Sequence, residues 1–534
     1  MSKSRNRVER IPSHFPRCRQ LIGRETFAEV LAEAPAGFVA EHLPELLAGC
    51  RERFGFPPWL ADLARIEAAA GFVGQSTAQL DTVVAHLVVN PTLHLVEVGW
   101  RRLADIFLDR GGAGRQPPIG DEIVLVWLHP RRRSLEARAA SGQDLLALKV
   151  VVEELDRRQA AAAAGISLAE LDRAIAAARA AGLLLAPPSK LARDPALFAA
   201  DEEIPEQFLS SPVFTLQWHL TQACDLHCRH CYDRSNRSAP TLAEAVSVLD
   251  QLYDFCRDRH VYGQVSFTGG NPLLHPHFLE IYREAADRGL MTAILGNPTD
   301  ADVLEKIKAL QRPEFYQVSL EGLREHNDHI RGAGHFDRVF AFLDRLKAAG
   351  IYSMVMLTLT RDNLDQVLPL AELLRDRVDL FTFNRLSMVG EGARLRTPGR
   401  DEYQLFLRKY LEAVAANPAM ALKDNLINIL RHQEGAELFG GCAGYGCGAA
   451  FNFVALLPDG EVHACRKFPS PIGDLRRQSL TAVYDSQKAA GYRRGPAACS
   501  GCRIRHVCGG CLAVIASAGL DVGRDRDPCC FFPV

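Results

Sequence analysis

Twelve of the chain's fifteen cysteines fall into two short stretches. Three form the run Cys224-x-x-x-Cys228-x-x-Cys231, and nine lie between 442 and 530. The basic start, Met1 to Arg7, has no apolar segment behind it of the kind a secretion signal carries, so the chain is expected in the cytoplasm. In that compartment closely spaced thiols bind metal rather than pair as disulfides. The two stretches must therefore fold as metal-holding loops, with the rest of the chain arranged to support them. Cys18, Cys50 and Cys256 stand at no metal spacing, and Cys256, near Leu249, Leu252 and Phe255 on one helix, reads as a core thiol.

At 534 residues the chain exceeds what one hydrophobic core can organise. A net charge of −2 supplies no field for nucleic acid or an anionic membrane. No apolar run approaches the roughly 20 residues of a membrane span. Neither a membrane nor a nucleic acid is an expected partner.

Hydrophobic periodicity divides the chain into five segments. Residues 1–88 are mainly helical. Residues 89–187 hold strands near 92–98, 122–127 and 135–138, then a helix with Leu145, Leu148, Val152 and Leu155 inward. A second helix there opens on a capping box of Ser167 and Glu170. Residues 188–211, rich in proline, read as a linker. In 212–430 strands near 214–220, 265–267, 292–295, 317–320, 354–359 and 381–386 alternate with helices, one of them opening at Thr241-x-x-Glu244. Six β/α units in succession require a parallel sheet, either doubly wound or a partial barrel. In 431–534 periodicity fades and Cys, Gly and Pro dominate, so metal must supply the missing core.

The first cysteine run follows directly on the first strand, where α/β folds place their chemistry. Three thiolates can hold three irons of a [4Fe–4S] cluster and leave the fourth open to a ligand. A zinc site is the alternative, but it usually joins CxxC pairs from separate segments. From about 211 to 390 the sequence resembles the radical S-adenosylmethionine (SAM) superfamily. Thr268-Gly269-Gly270-Asn271-Pro272 is similar to that family's Gly-Gly-Glu-Pro element, with Asn271 in place of Glu. His230 stands where the family has an aromatic residue against adenine, and Gly296-Asn297-Pro298-Thr299 is similar to its third-strand turn. Ser319-Leu320-Glu321-Gly322 resembles the element near the ribose, and Arg331-Gly332-x-Gly334-x-Phe336 the stretch whose Arg meets the SAM carboxylate. The resemblance implies a partial (β/α)6 barrel, reductive SAM cleavage to a 5′-deoxyadenosyl radical, and SAM contacts from His230, Gly269, Gly270, Asn271, Pro272, Ser319, Glu321 and Arg331.

The second region resembles the SPASM domain of peptide-modifying radical SAM enzymes, with Asp459-Gly460 as its hairpin turn. The resemblance implies two auxiliary [4Fe–4S] clusters, one on Cys442, Cys447, Cys465 and Cys511. Cys499, Cys502, Cys508 and Cys529 would hold the other, with Cys530 as the substitute for Cys529. Cys508-Gly-Gly-Cys511 is one residue shorter than the family pattern. Some sulfatase-maturing relatives carry a basic-acting Asp after the cysteine equivalent to Cys465; this chain has Arg466, which argues against formylglycine formation.

Residues 90–187 resemble the winged-helix module that docks leader peptides by strand addition. A DNA-binding winged helix is the competitor, but the second helix is rich in alanine and offers few base-reading side chains. Within the SPASM enzymes the residues 217–226 resemble the maturases of selenobiotic (thio/seleno-oxazole) peptides. The whole reading is an α/β oxidoreductase with SAM and three [4Fe–4S] clusters. Its expected partners are a ribosomally made precursor peptide and a flavodoxin- or ferredoxin-type electron donor, and its product a Cys- or Sec-derived linkage. The alternatives are a maturase of folded proteins and a zinc-binding winged-helix regulator. No general base is assigned.

Overall fold

The computed structural model describes residues 11–35, 37–78, 80, 84–109, 116–166, 168–199 and 203–533. The chain divides into two compact units, Met1–Pro188 and Ser189–Val534.

In the first unit, helices α1 (Pro16–Ile22), α2 (Arg24–Ala32), α3 (Leu43–Gly49) and α4 (Leu60–Gly74) precede a three-stranded antiparallel sheet. The sheet runs β1 (His94–Trp100), β2 (Ile119–Leu128) and β3 (Leu135–Ala139), with β2 central. Helices α5 (Gly142–Val152), α6 (Arg157–Ala164) and α7 (Leu168–Ala180) follow. From Ile123 to Leu128 β2 reads as an unbroken apolar run because both faces of that half are covered. Val124 and Val126 pack among α1–α4, whereas Leu125 and Trp127 pack among α5–α7. The helical N-terminus expected as a region of its own over 1–88 thus shares a core with the sheet. α5 starts on a capping box in which Ser141 and Asp144 satisfy each other's backbone N–H. Of the box expected before α7, Ser167 lies outside the described residues.

In the second unit six parallel strands stand side by side in chain order: β4 (Val213–Thr221), β5 (Tyr262–Gly269), β6 (Met291–Leu295), β7 (Tyr316–Ser319), β8 (Ser353–Leu359) and β9 (Leu380–Arg385). Helices cross between them, among them α8 (Leu242–Arg259), opened by the expected Thr241–Glu244 box, and α9 (Arg324–Arg331) after β7. Sequential order means that the winding never reverses, which removes the doubly wound alternative and leaves the connectivity of a barrel that stays open. The core is the partial (β/α)6 barrel expected from the sequence, with the cysteine-rich C-terminal segment attached to its edge. β10 (Phe453–Leu456) pairs in parallel with β4, and β11 (Glu461–His463) and β12 (Pro471–Asp474) continue the sheet antiparallel. The expected Asp459-Gly460 turn joins β10 to β11, with Gly460 at φ +91°.

The stretch 188–211, expected as a linker, has core residues among those described. Leu191, Ile204, Phe208 and Leu209 belong to the core of the second unit. Arg193 crosses from this strap to donate to the carbonyls of Phe208, Tyr445 and His506 at 2.9, 2.8 and 3.1 Å. Its guanidinium also lies over the rings of Phe198, Tyr445 and Phe451.

Candidate active site

The loop after β4 carries Cys224, Cys228 and Cys231 into the mouth of a cavity of about 470 Å3 at the C-terminal ends of the parallel strands. That volume suits a small cofactor with room for part of a substrate. Burial raises the thiols of Cys224 and Cys228 above the ordinary range. Leu226 N and Asn297 Nδ2 approach Cys224 Sγ at 3.4 and 3.8 Å, and Arg331 Nη1 approaches Cys228 Sγ at 3.8 Å. These donors favour thiolates, the form that ligates iron.

The glycines after β5 hold this loop up. Gly270 N donates to Thr221 O and Asn271 N to Ala223 O, both at 2.8 Å. A Cβ on Gly269 would stand 2.3 Å from Thr221 O, and one on Gly270 2.3 Å from Ala223 O. Gly269 is also at φ +131°. The close approach these glycines permit is to the cysteine loop itself. Both glycines still line the cavity, as do His230, Ser319 and Arg331.

Three of the expected SAM contacts do not line it. Asn271 turns inward, its Nδ2 donating to Asp225 Oδ1 at 3.0 Å and its Oδ1 accepting from Leu273 N at 3.3 Å. Pro272 is buried beside it. Glu321, 2% exposed, accepts from Arg331 Nε and Nη2 at 2.9 and 2.6 Å and from Thr358 N at 2.8 Å, with His230 Nε2 at 3.2 Å. Burial alone would raise the Glu321 carboxyl, but His230 and the Arg331 guanidinium hold it well below the usual carboxylate range. Glu321 therefore orients the two side chains that do face the cavity. His230 Nδ1 is buried with no hydrogen-bond partner among the described residues, so it has capacity left for a ligand.

Two further cavities hold the C-terminal cysteines. Cys442, Cys447, Cys465 and Cys511 line one, the set expected from the sequence. Cys499, Cys502, Cys508 and Cys530 line the other, and Cys529 does not. Cys529 is instead buried beside Arg385 and Asp527, its backbone N–H tied to Asp527 Oδ1 at 3.0 Å. The short Cys508–Cys511 spacing works because Gly509 and Gly510 are both at φ +67°, which turns the two thiols into different cavities. Burial and neighbouring thiols push Cys447 up to about 12, and Cys465 and Cys499 up to about 11. Thiols so hard to ionise alone give up their protons against a cationic core, so the donor sets fit iron–sulfur clusters. Among the described residues no three His, Cys, Asp or Glu side chains gather where one metal ion could sit. The thiols line cavities, as a polynuclear cluster requires.

Sequence reasoning missed the wall between these sites. Asn384, Arg385 and Lys467 line both the large cavity and the Cys442 cavity. Arg385 pairs with Asp424 at 2.9 Å and with Asp527, and Asp527 accepts from Cys511 N at 2.9 Å while lining the Cys530 cavity. These residues come from distant segments and carry no local motif. Asp225, which gathers Asn271 and Asn297 (2.6 Å), could have been noticed from its place beside Cys224.

A family model for the radical SAM superfamily matches residues 218–374, and one for the SPASM iron–sulfur cluster-binding domain matches 447–504. An AdoMet-dependent heme synthase of Methanosarcina barkeri is 27% identical over 348 residues, 60% of this chain and 96% of its own. The mycofactocin maturase MftC of Mycolicibacterium smegmatis is 28% identical over 343 residues, 61% of this chain and 84% of its own. Among solved structures, Streptococcus suis SuiB bound to precursor peptide SuiA shares the fold. It aligns with a TM-score of 0.50 at 15% identity, over 77% of this chain and 96% of SuiB.

Proposed function

From the premise that the chain is a radical SAM enzyme with a SPASM domain, we propose that it matures a ribosomally made precursor peptide. One observation carries the choice of a peptide: the first unit sets a three-stranded sheet, edged by β1 and β3, beside helices α5–α7. An extended leader can add to such an edge through backbone hydrogen bonds. The alignment with peptide-bound SuiB covers more of this chain than Ser189–Val534 alone provides, so it reaches into the first unit. MftC, a maturase by name, points the same way.

Cys224, Cys228 and Cys231 would hold the SAM-binding cluster, and the two other cysteine sets, completed by Cys511 and Cys530, an auxiliary cluster each. SAM bound at the first cluster would supply, on reduction, the radical chemistry that removes a hydrogen atom from the substrate. The chain's own residues position and shield. Glu321 fixes Arg331 and His230 on one wall, and Gly269 and Gly270 support the cysteine loop. The product would be a Cys- or Sec-derived linkage, as resemblance to the selenobiotic maturases suggests, and a flavodoxin or ferredoxin would deliver electrons in the cytoplasm.

The heme synthase relative favours a second reading, a small carboxylated substrate. The two separate by experiment. Reconstituted enzyme is given SAM, a reductant and a candidate precursor peptide taken from any short reading frame beside its gene. A mass change in that peptide, lost when residues 1–188 are deleted, supports the peptide reading. An unchanged peptide with an active cluster, or undiminished modification by the truncated chain, contradicts leader-guided maturation.

A further inference from the structure

Five cations, Arg234, Arg331, Arg385, Arg466 and Lys467, line the large cavity against one carboxylate, Asp233. Four of them are engaged. Arg331 is held by Glu321 and Arg385 by Asp424 and Asp527. Arg234 donates to Cys228 O at 2.7 Å. Lys467 donates to Arg385 O at 2.9 Å and faces Cys465, toward the auxiliary cavity.

Arg466 faces the other way. It lies against the Tyr232 hydroxyl and beside the buried His219 ring, and Tyr232 Oη is 3.2 Å from His219 Nε2. Burial, then Arg466 itself, pushes His219 down to about 3, so the ring is neutral near pH 7 and offsets no charge. The acids of this neighbourhood are occupied. Asp233 accepts from Ser235 N at 2.9 Å and Gln222 Nε2 at 2.8 Å, and Asp459 and Glu461 accept from Arg237 at 2.7 and 2.8 Å. Among the described residues no carboxylate forms an ion pair with Arg466. A guanidinium inside a cavity is costly without an anion, and its planar fork matches a carboxylate.

We infer that Arg466 is the anion subsite of the substrate cavity and reads a carboxylate on the molecule to be modified. This rests on the reading that the cavity admits substrate beside SAM. Arg331 comes from α9 and reaches toward Cys228, whereas Arg466 follows β11 and lies against Tyr232; in this reading Arg331 serves SAM and Arg466 the substrate. The carboxylate has two sources in a peptide, an acidic side chain or the C-terminus.

The test is equilibrium dialysis of the reconstituted full-length holoenzyme, with SAM, against small probes. The probes are acetylated alanine–glycine peptides with one glutamate and an amidated end, one glutamine and a free carboxyl end, or one glutamine and an amidated end, and glutarate. Wild type should hold one carboxylate peptide about tenfold more tightly than the neutral one, and the one preferred identifies the source. Arg466→Gln should abolish the preference and Arg466→Lys restore part of it, with iron content reporting that each variant is folded. If glutarate binds with the same dependence on Arg466 and no peptide does, the subsite stands and the peptide reading falls. Equal binding of neutral and acidic peptides by wild type, a preference surviving in Arg466→Gln, or no retention of any carboxylate probe overturns the subsite.

Discussion

Arg385 donates both terminal guanidinium nitrogens to the Asp527 carboxylate, at 2.9 and 2.6 Å, with the two residues 4% and 3% exposed. The pair joins the last strand of the parallel sheet to the cysteine-rich tail. Burial would raise Asp527, but Arg385 more than offsets it and keeps the carboxyl ionised. Removing one partner strands a buried charge, at a cost of about 3–5 kcal/mol. Arg385→Met should therefore lower the unfolding temperature and leave the chain short of auxiliary iron after reconstitution. Wild-type iron content and stability in that variant would show that the pair is dispensable.

Glu321 acts through Arg331 and His230. Glu321→Gln keeps the shape but removes the charge that both partners share, so SAM affinity should fall about tenfold with iron content unchanged. Binding of SAM measured by dialysis checks this, and an unaltered affinity would remove the positioning role.

Cys530, not Cys529, lines the second auxiliary cavity. Cys530→Ala should reduce iron from about twelve atoms per chain toward about eight, while Cys529→Ala stays near twelve. Iron analysis with Mössbauer spectra decides between them, and the reverse pattern would restore the choice suggested by family position.

Asp144 caps α5 and pairs with Arg138 at 2.6 Å. Burial opposes ionisation, but Arg138 and Ser141 bring the carboxyl down from 3.8 to about 2. A depressed carboxyl stabilises above its unfolded value and loses that contribution as pH falls from about 4 toward 2. Asp144→Asn should therefore weaken amide-exchange protection of β3 and α5 in the full chain by about 1–2 kcal/mol. The gap should hold from pH 7 to pH 5, and a gap that narrows across that range would contradict the pairing.

Strands, the Thr241–Glu244 cap and the Asp459-Gly460 turn were legible in the sequence because each depends on neighbours a few residues away. The three-cysteine loop and the Cys442 set were legible through spacing. Family position does not reveal that Asp225 and Arg331 engage Asn271 and Glu321 from elsewhere in the chain. Cys529 and Cys530 are adjacent, and their spacing cannot show that Asp527 ties both N–H groups, one through its carboxylate and one through its carbonyl. The strap around Arg193 looked like a linker since its prolines are visible locally and its partners Tyr445 and His506 are not.

In the proposed function Cys224, Cys228 and Cys231 hold the cluster at which SAM is cleaved. Anaerobically reconstituted protein, reduced in the presence of SAM, should form 5′-deoxyadenosine, and a Cys224→Ala, Cys228→Ala, Cys231→Ala triple variant should form none while keeping about eight irons. Absence of 5′-deoxyadenosine from the fully loaded wild type, or its formation by the triple variant, would contradict the account.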